Sequence, residues 1–434
     1  MTPLLVPLHG LGSRQDLPLP LPAAVGAAVL VLLLSFAVLA LAWRDPRWDG
    51  VADGRPLPAL TRLADAGWFR GFLSAAGVFV FCWVGAALWW GRDRVTNPVF
   101  GFTYVWLWVG LVPTSLLFGP VLRLANPLGV VSRLLPRDGL RPLSDDTWQR
   151  LGSYPAALGL IAFGLLELVQ PDNNTLPVLQ AWWLVWVGCV LGGTVVFGRR
   201  WVSAADPFQA YAVLVSRASL WQRLDGDIAL VNPLRHLGTS TSPAGTWAVT
   251  CSLLGITAFD GFTGTTWWVR TTQSSGLPRE LWGTLGLFGM VALIAVTFAL
   301  GVRGLGRLRP TRHLDLLAAS VIPIVVGYAV AHYLSLLVLE GQRTLINLSD
   351  PLGLGWNAFG TAELAILPLW LDTPAVTATI QLLAIVGGHV IGVLVAHELA
   401  LRVLPARRRL TGQVPLLLVM IGYTCGGLLL LFSP

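Results

Sequence analysis

Long apolar runs alternate with short polar, arginine-containing stretches along the chain. Each run is about 20 residues long, the length that an α-helix needs to cross the hydrocarbon core of a bilayer. The pattern predicts an all-α, polytopic transmembrane helix bundle with about ten spans, at 22–43, 72–91, 104–122, 152–170, 178–198, 246–264, 281–302, 315–338, 374–401 and 414–432. Residues 1–434 are therefore expected to form a single integral membrane domain.

The composition excludes a soluble enzyme. Of the 434 residues, 55% are hydrophobic and 12% are charged, whereas soluble domains carry about 25% charged residues. The net charge is +7, but all 29 positive charges are Arg, and 23 of them lie in alternate loops. The positive-inside rule predicts that these loops are cytoplasmic and that both termini lie outside the bacterial plasma membrane. The basic charge thus indicates a lipid bilayer as partner and no nucleic acid.

Three local patterns add detail to this topology. In the cytoplasmic connection 199–245, Asp206-Pro207 precedes apolar residues at mostly three- to four-residue spacing, which predicts an amphipathic helix on the membrane surface. The outer connection 339–373 is too apolar for a solvated loop and predicts a cap or re-entrant segment. Glycine pairs four residues apart, at 188 and 192 and at 388 and 392, predict close helix packing.

Ionisable side chains inside the apolar runs are few, and such residues are candidates for function because burying them is costly. Glu167, Asp260 and His332 lie at a similar outer depth of their spans, and His389 lies a little deeper. We predict that these four residues form an outward-facing catalytic site. Histidine and carboxylate side chains suit zinc or a similar divalent metal, which would activate water. The predicted metal ligands are His9, Asp260, His332 and His389.

Other interpretations of the same residues remain open. Imidazole titrates near neutrality and also suits a proton relay. Glu167 and Asp260 lie close enough to span ends to reach the headgroup zone, and His332 could hydrogen-bond a neighbouring helix as packing. For His397 and Glu398, near the cytoplasmic face, we favour a structural role.

Several strings resemble a family of multi-pass bacterial membrane proteins commonly labelled fenitrothion hydrolase. They are His9-Gly10, Asp16-Leu17-Pro18, Tyr154-Pro155-Ala156, Glu167-Leu168-Val169, Phe259-Asp260-Gly261-Phe262, Ala331-His332-Tyr333-Leu334, Gly388-His389-Val390 and Ala396-His397. The resemblance implies hydrolysis of an organophosphate or similar ester by a membrane-bound protein, together with a second membrane subunit. Two other functions remain open: a transporter or permease for a small solute or metal ion, and a structural or assembly subunit of a membrane complex.

Overall fold

The computed structural model describes residues 20–48, 54–239, 241–305 and 310–432. The described residues are mostly helical, which confirms the predicted all-α class. Its α-helices are α1 (Leu21–Ala42), α2 (Pro58–Asp65), α3 (Gly67–Trp90), α4 (Pro98–Gly101), α5 (Leu111–Phe118), α6 (Leu122–Ala125), α7 (Pro127–Ser132), α8 (Asp145–Leu151), α9 (Tyr154–Leu168), α10 (Leu176–Phe197), α11 (Arg200–Ala205), α12 (Pro207–Ser216), α13 (Pro233–Thr239), α14 (Thr246–Thr263), α15 (Thr266–Ser274), α16 (Arg279–Arg303), α17 (Pro310–Asn347), α18 (Pro374–Val403) and α19 (Val414–Phe432). A π-helix (Phe102–Gly110) joins α4 to α5, and 3₁₀ turns cover Leu369–Asp372, Ala406–Arg408 and Thr411–Gln413.

Within the described residues, nine helical stretches are long and apolar enough to cross a membrane. Each corresponds to one of the ten predicted spans, with ends that differ by several residues in places. The remaining predicted span forms α14, an 18-residue helix that is not among the nine and that carries Asp260. The protein is therefore a membrane-embedded helical protein by the length and composition of its helices, and the side on which its termini lie stays a prediction.

A small antiparallel sheet lies outside the predicted all-helical pattern. Strands β1 (Gly54–Pro56), β2 (Trp221–Leu224) and β3 (Asp227–Val231) pair in the order β1-β3-β2. Asp225 and Gly226 connect β2 to β3, and both have positive φ angles, 49° and 96°. Asp-Gly is the residue pair that favours such a two-residue hairpin turn, so this signal was present in the sequence.

The described residues group into two compact units. Unit 1 takes its residues from Met1–Asp49, Thr250–Gln342 and Ile366–Pro434, and unit 2 from Gly50–Val249 and Arg343–Ala365. Unit 1 thus contains most of α14 and α17 together with α1, α15, α16, α18 and α19. The sequence pattern, which is uniform in its apolar runs, predicted one membrane domain and gave no sign of this division.

The helix predicted after Asp206 forms as α12, and the Asp206 side chain accepts a hydrogen bond from the backbone N–H of Phe208 at 3.2 Å. Its apolar side chains, however, are buried inside unit 2 and are not presented to a membrane surface. The Phe208 ring packs 5.4 Å from that of Phe163, and the Tyr211 ring 5.6 Å from that of Trp108. A periodic apolar face shows that a helix is half-buried, but it does not show whether protein or lipid covers it.

The predicted cap or re-entrant segment contains no helix between Asn347 and Leu369. Within unit 2 this irregular chain is held by a hydrogen bond of 2.8 Å from Trp83 Nε1 to the Leu348 carbonyl and by the contact of the Ser349 and Thr361 hydroxyls at 2.6 Å. Trp356 and Phe359 are about half exposed, at 45% and 49%. A role of this segment as a cap stays a prediction.

In unit 1, α17 and α18 pack with almost no space between their backbones. A Cβ atom on Gly388 would lie 2.5 Å from the Pro323 carbonyl oxygen, and one on Gly392 would lie 2.8 Å from that of Ser320. The predicted close packing at this pair of glycines is confirmed. At Gly188 and Gly192 a Cβ would meet no described atom within 4 Å, so the same prediction is wrong for α10.

These two glycine pairs provide a matched test of helix packing. We expect Gly388→Ala to lower the free energy of unfolding by about 1–3 kcal/mol, because the new methyl group overlaps a backbone carbonyl. Gly188→Ala should leave stability unchanged or raise it, since alanine favours the helix. Unfolding in mixed micelles measures both variants, and an equal effect of the two would contradict the close contact.

Candidate functional site

The centre of the candidate site is a buried hydrogen bond between Asp260 of α14 and His332 of α17. His332 Nε2 lies 3.0 Å from Asp260 Oδ2. The two residues are 6% and 4% exposed, so water does not solvate the pair. Because an ionisable group in such surroundings is costly without its partner, removing either residue typically costs about 3–5 kcal/mol. Of the four predicted catalytic residues, the structure brings these two into direct contact.

Aromatic rings enclose this pair. The Tyr328 ring stacks on the His332 ring with 5.6 Å between centroids and 16° between planes, and the Tyr333 ring meets it edge-on at 4.7 Å. Gly261, next to Asp260, leaves room for the phenol, since a Cβ there would lie 2.8 Å from the Tyr328 hydroxyl. The imidazole is therefore held in one orientation by the carboxylate and two rings.

His389 makes no hydrogen bond to Asp260 or His332. It lines an apolar cavity of about 610 Å³ in unit 1, and Tyr328 lines the same cavity. His389 Nδ1 lies 2.8 Å from the Ile385 carbonyl oxygen of its own helix, and the residue is 2% exposed. Tyr328 thus connects two of the predicted groups: its ring contacts His332, and it shares a cavity with His389.

The predicted metal centre is not assembled by the described residues. Among them, no three His, Cys, Asp or Glu side chains are grouped closely enough to hold a metal ion. Asp260 and His332 are adjacent, but His389 does not complete a set with them, and His9 lies outside the described residues. A zinc-like metal therefore stays a prediction.

Glu167 belongs to unit 2, whereas Asp260, His332 and His389 belong to unit 1. It lies in the last turn of α9. Its role as a catalytic residue stays a prediction.

His397 and Glu398 of α18 bind the segment that follows α1. Glu398 accepts hydrogen bonds from the Trp43 indole and from the backbone N–H groups of Arg47 and Trp48, at 3.0–3.1 Å. His397 Nε2 lies 2.8 Å from the Trp43 carbonyl oxygen. These contacts fit the structural role that we favour for the two residues.

A second polar cluster, in unit 2, was not predicted as a site. Asn126 Nδ2 donates to Asp206 Oδ2 and to Gln209 Oε1, both at 2.7 Å. The three residues line an apolar cavity of about 340 Å³ together with Trp106 of the π-helix. Burial raises the pKa of Asp206 from 3.8 to about 6, and its hydrogen bonds oppose that rise. Asp206-Pro207 predicts a helix start, but nothing in the sequence indicates that the Asp206 and Asn126 side chains meet.

The raised pKa of Asp206 makes the stability of unit 2 depend on pH. Between pH 3.8 and about 6 the unfolded chain releases a proton that the folded protein retains, so stability falls as pH rises through this window. In Asp206→Asn, which retains an oxygen to cap α12, this loss should be absent. Unfolding of the variant and of wild type from pH 4 to pH 7, with the exposed Asp146→Asn as control, measures the difference. Parallel curves for wild type and Asp206→Asn would contradict the burial of a carboxylate there.

Comparisons with protein-family models, with curated proteins and with solved structures find no match to this chain. The resemblance to the fenitrothion hydrolase family stays a prediction.

Proposed function

We propose that this protein is a membrane-embedded hydrolase in which Asp260 and His332 act as an acid–base pair on a lipophilic ester. The observation that supports this is the buried hydrogen bond of 3.0 Å between them, in a unit whose large apolar cavity reaches Tyr328, the ring stacked on His332. An organophosphate or similar ester is the substrate class that the sequence resemblance suggests. Such a molecule would reach the site from the bilayer, where it concentrates.

The chemistry follows from the geometry of the pair. When His332 Nε2–H donates to the Asp260 carboxylate, the lone pair of the neutral ring lies on Nδ1. In the proposed reaction a water molecule that enters with the ester gives a proton to Nδ1, its oxygen bonds to phosphorus or to the ester carbon, and the bond to the leaving group breaks. The leaving alkoxide or phenoxide then takes that proton from the imidazolium. Asp260 stabilises the imidazolium and fixes the ring, as carboxylates do in other His–Asp pairs.

The proposal includes the plasma membrane as location, with both termini outside and the site open to the outer side. Its support is the concentration of 23 of the 29 Arg residues in alternate loops. A second membrane subunit is part of the same proposal and rests on the resemblance alone.

The second candidate function is transport of a small solute coupled to protons. It is favoured by Pro323, which lies inside α17 nine residues before His332 and interrupts the hydrogen bonding of that helix. Interrupted helices that carry ionisable residues are typical of transporter binding sites.

Substitution of the pair tests the hydrolase. We expect Asp260→Asn and His332→Gln each to lower kcat for a dialkyl nitrophenyl phosphate by about 100-fold or more, which is the scale of general acid–base catalysis. Substitution of a partly buried histidine on the same helix, His313→Gln, should retain full activity. Nitrophenolate release by protein in lipid nanodiscs measures all three variants.

The same variants distinguish hydrolysis from transport. In proteoliposomes, a transporter would take up protons only when a solute gradient is imposed and Asp260 is present. That result, together with no nitrophenolate release by the wild-type protein, would favour transport over hydrolysis. Turnover that is equal in wild type and in both Asp260→Asn and His332→Gln would exclude the pair as the catalytic group.

A further inference from the structure

Tyr328 and His389 line the apolar cavity of unit 1, and two of their buried polar atoms lack a hydrogen-bond partner among the described residues. They are the Tyr328 hydroxyl and His389 Nε2, on residues that are 4% and 2% exposed. Leaving a buried donor or acceptor unpaired costs about 1–3 kcal/mol. Two such atoms lining one cavity therefore indicate a ligand that satisfies both.

The hydrogen-bonding roles of these two atoms differ. His389 Nδ1 lies 2.8 Å from the Ile385 carbonyl oxygen, which can only accept, so this nitrogen carries the ring proton. In the neutral ring, Nε2 is then an acceptor. The Tyr328 hydroxyl can donate. The complementary ligand group combines an O–H or N–H donor with an acceptor oxygen.

The remaining lining favours an uncharged molecule with a long apolar part. None of the described residues that line the cavity is Arg, Asp or Glu, and most of its wall is aliphatic. Leu293, Leu418 and Leu429 line it and are still 46–62% exposed, so its mouth opens on an apolar surface of the kind that faces lipid. At Gly422 and Gly426 a Cβ would meet no described atom within 4 Å, which shows free space beside α19. The volume of about 610 Å³ is in the range of small-molecule sites.

We propose that this cavity binds a single-chain amphiphile with an uncharged hydroxyl head, such as a long-chain alcohol, which enters sideways from the bilayer. The head O–H donates to His389 Nε2, its oxygen accepts from the Tyr328 hydroxyl, and the chain lies along the aliphatic wall. This is a binding site of its own and does not rest on the hydrolysis proposed for Asp260 and His332.

Photoactivatable probes test the site in full-length protein in nanodiscs. The probes are hexadecanol with a diazirine on its chain and the methyl ether of the same molecule. Both oxygens can accept from Tyr328, but only the alcohol can donate to His389. Labelling of α19 peptides, titrated against probe concentration, gives the apparent affinities. We expect the ether to bind about 5-fold more weakly than the alcohol, the effect of one lost hydrogen bond.

Four variants assign the contacts. In His389→Leu the alcohol and the ether should bind equally. In Tyr328→Phe both probes should bind about 5-fold more weakly, whereas Tyr423→Phe should not change binding, because the Tyr423 hydroxyl lines the same cavity but already lies 2.8 Å from the Ile294 carbonyl oxygen. Gly422→Val should reduce labelling by both probes at least 10-fold because it fills the free space, and it alters none of the polar atoms.

Three results would overturn the site. The first is equal binding of alcohol and ether to wild type, which would show an acyl chain held without head recognition. The second is a preference for the alcohol that survives in His389→Leu. The third is an equal effect of Tyr328→Phe and Tyr423→Phe. If His389→Leu does not fold, the comparison of Tyr328→Phe with Tyr423→Phe still tests the site. Hydrolysis is measured separately in all variants, so that failure of the binding site and failure of the proposed hydrolase can be distinguished.

Discussion

The hydrogen bond between Asp260 and His332 places two ionisable side chains where water cannot solvate them. In apolar surroundings a polar group must find its partner within the protein or in a ligand, because no solvent supplies one. The packing around the pair meets this requirement: α14 and α17 bring the carboxylate and the imidazole together, and the Tyr328 and Tyr333 rings close around them. The other buried polar groups must meet the same requirement.

Two kinds of surroundings occur among the other buried polar groups. Glu398 is bonded to the chain after α1, His397 is bonded to the Trp43 carbonyl oxygen and to Gln413, and Asp206 is held by Asn126 and its own helix start. Such groups stabilise a fold and need no further partner. Tyr328 and His389 differ, since each has a polar atom in a cavity with no partner among the described residues.

The sequence predicts the helices well because a bilayer imposes length and apolarity on each span, and both can be counted directly. It predicts contacts poorly, because two identical local patterns can have different surroundings. Gly188-xxx-Gly192 and Gly388-xxx-Gly392 are the same motif, yet only the second lies against another backbone. The apolar face after Asp206 was assigned to lipid but is covered by protein. The sequence places Asp260 and His332 at a similar depth in their spans, and the structure brings them together. Glu167 has a similar predicted depth but belongs to the other unit, because the grouping of helices into units depends on contacts that the sequence pattern does not contain.

The central claim, that His332 is a base oriented by Asp260, is tested most directly by the position of its ring proton. Nitrogen-15 NMR of histidine-labelled protein in nanodiscs, with the His332 signals assigned by their loss in His332→Gln, reports each ring nitrogen separately. We expect a proton on Nε2 and none on Nδ1, with both signals altered in Asp260→Asn. A proton on Nδ1 with an unprotonated Nε2, or a spectrum unchanged in Asp260→Asn, would contradict it.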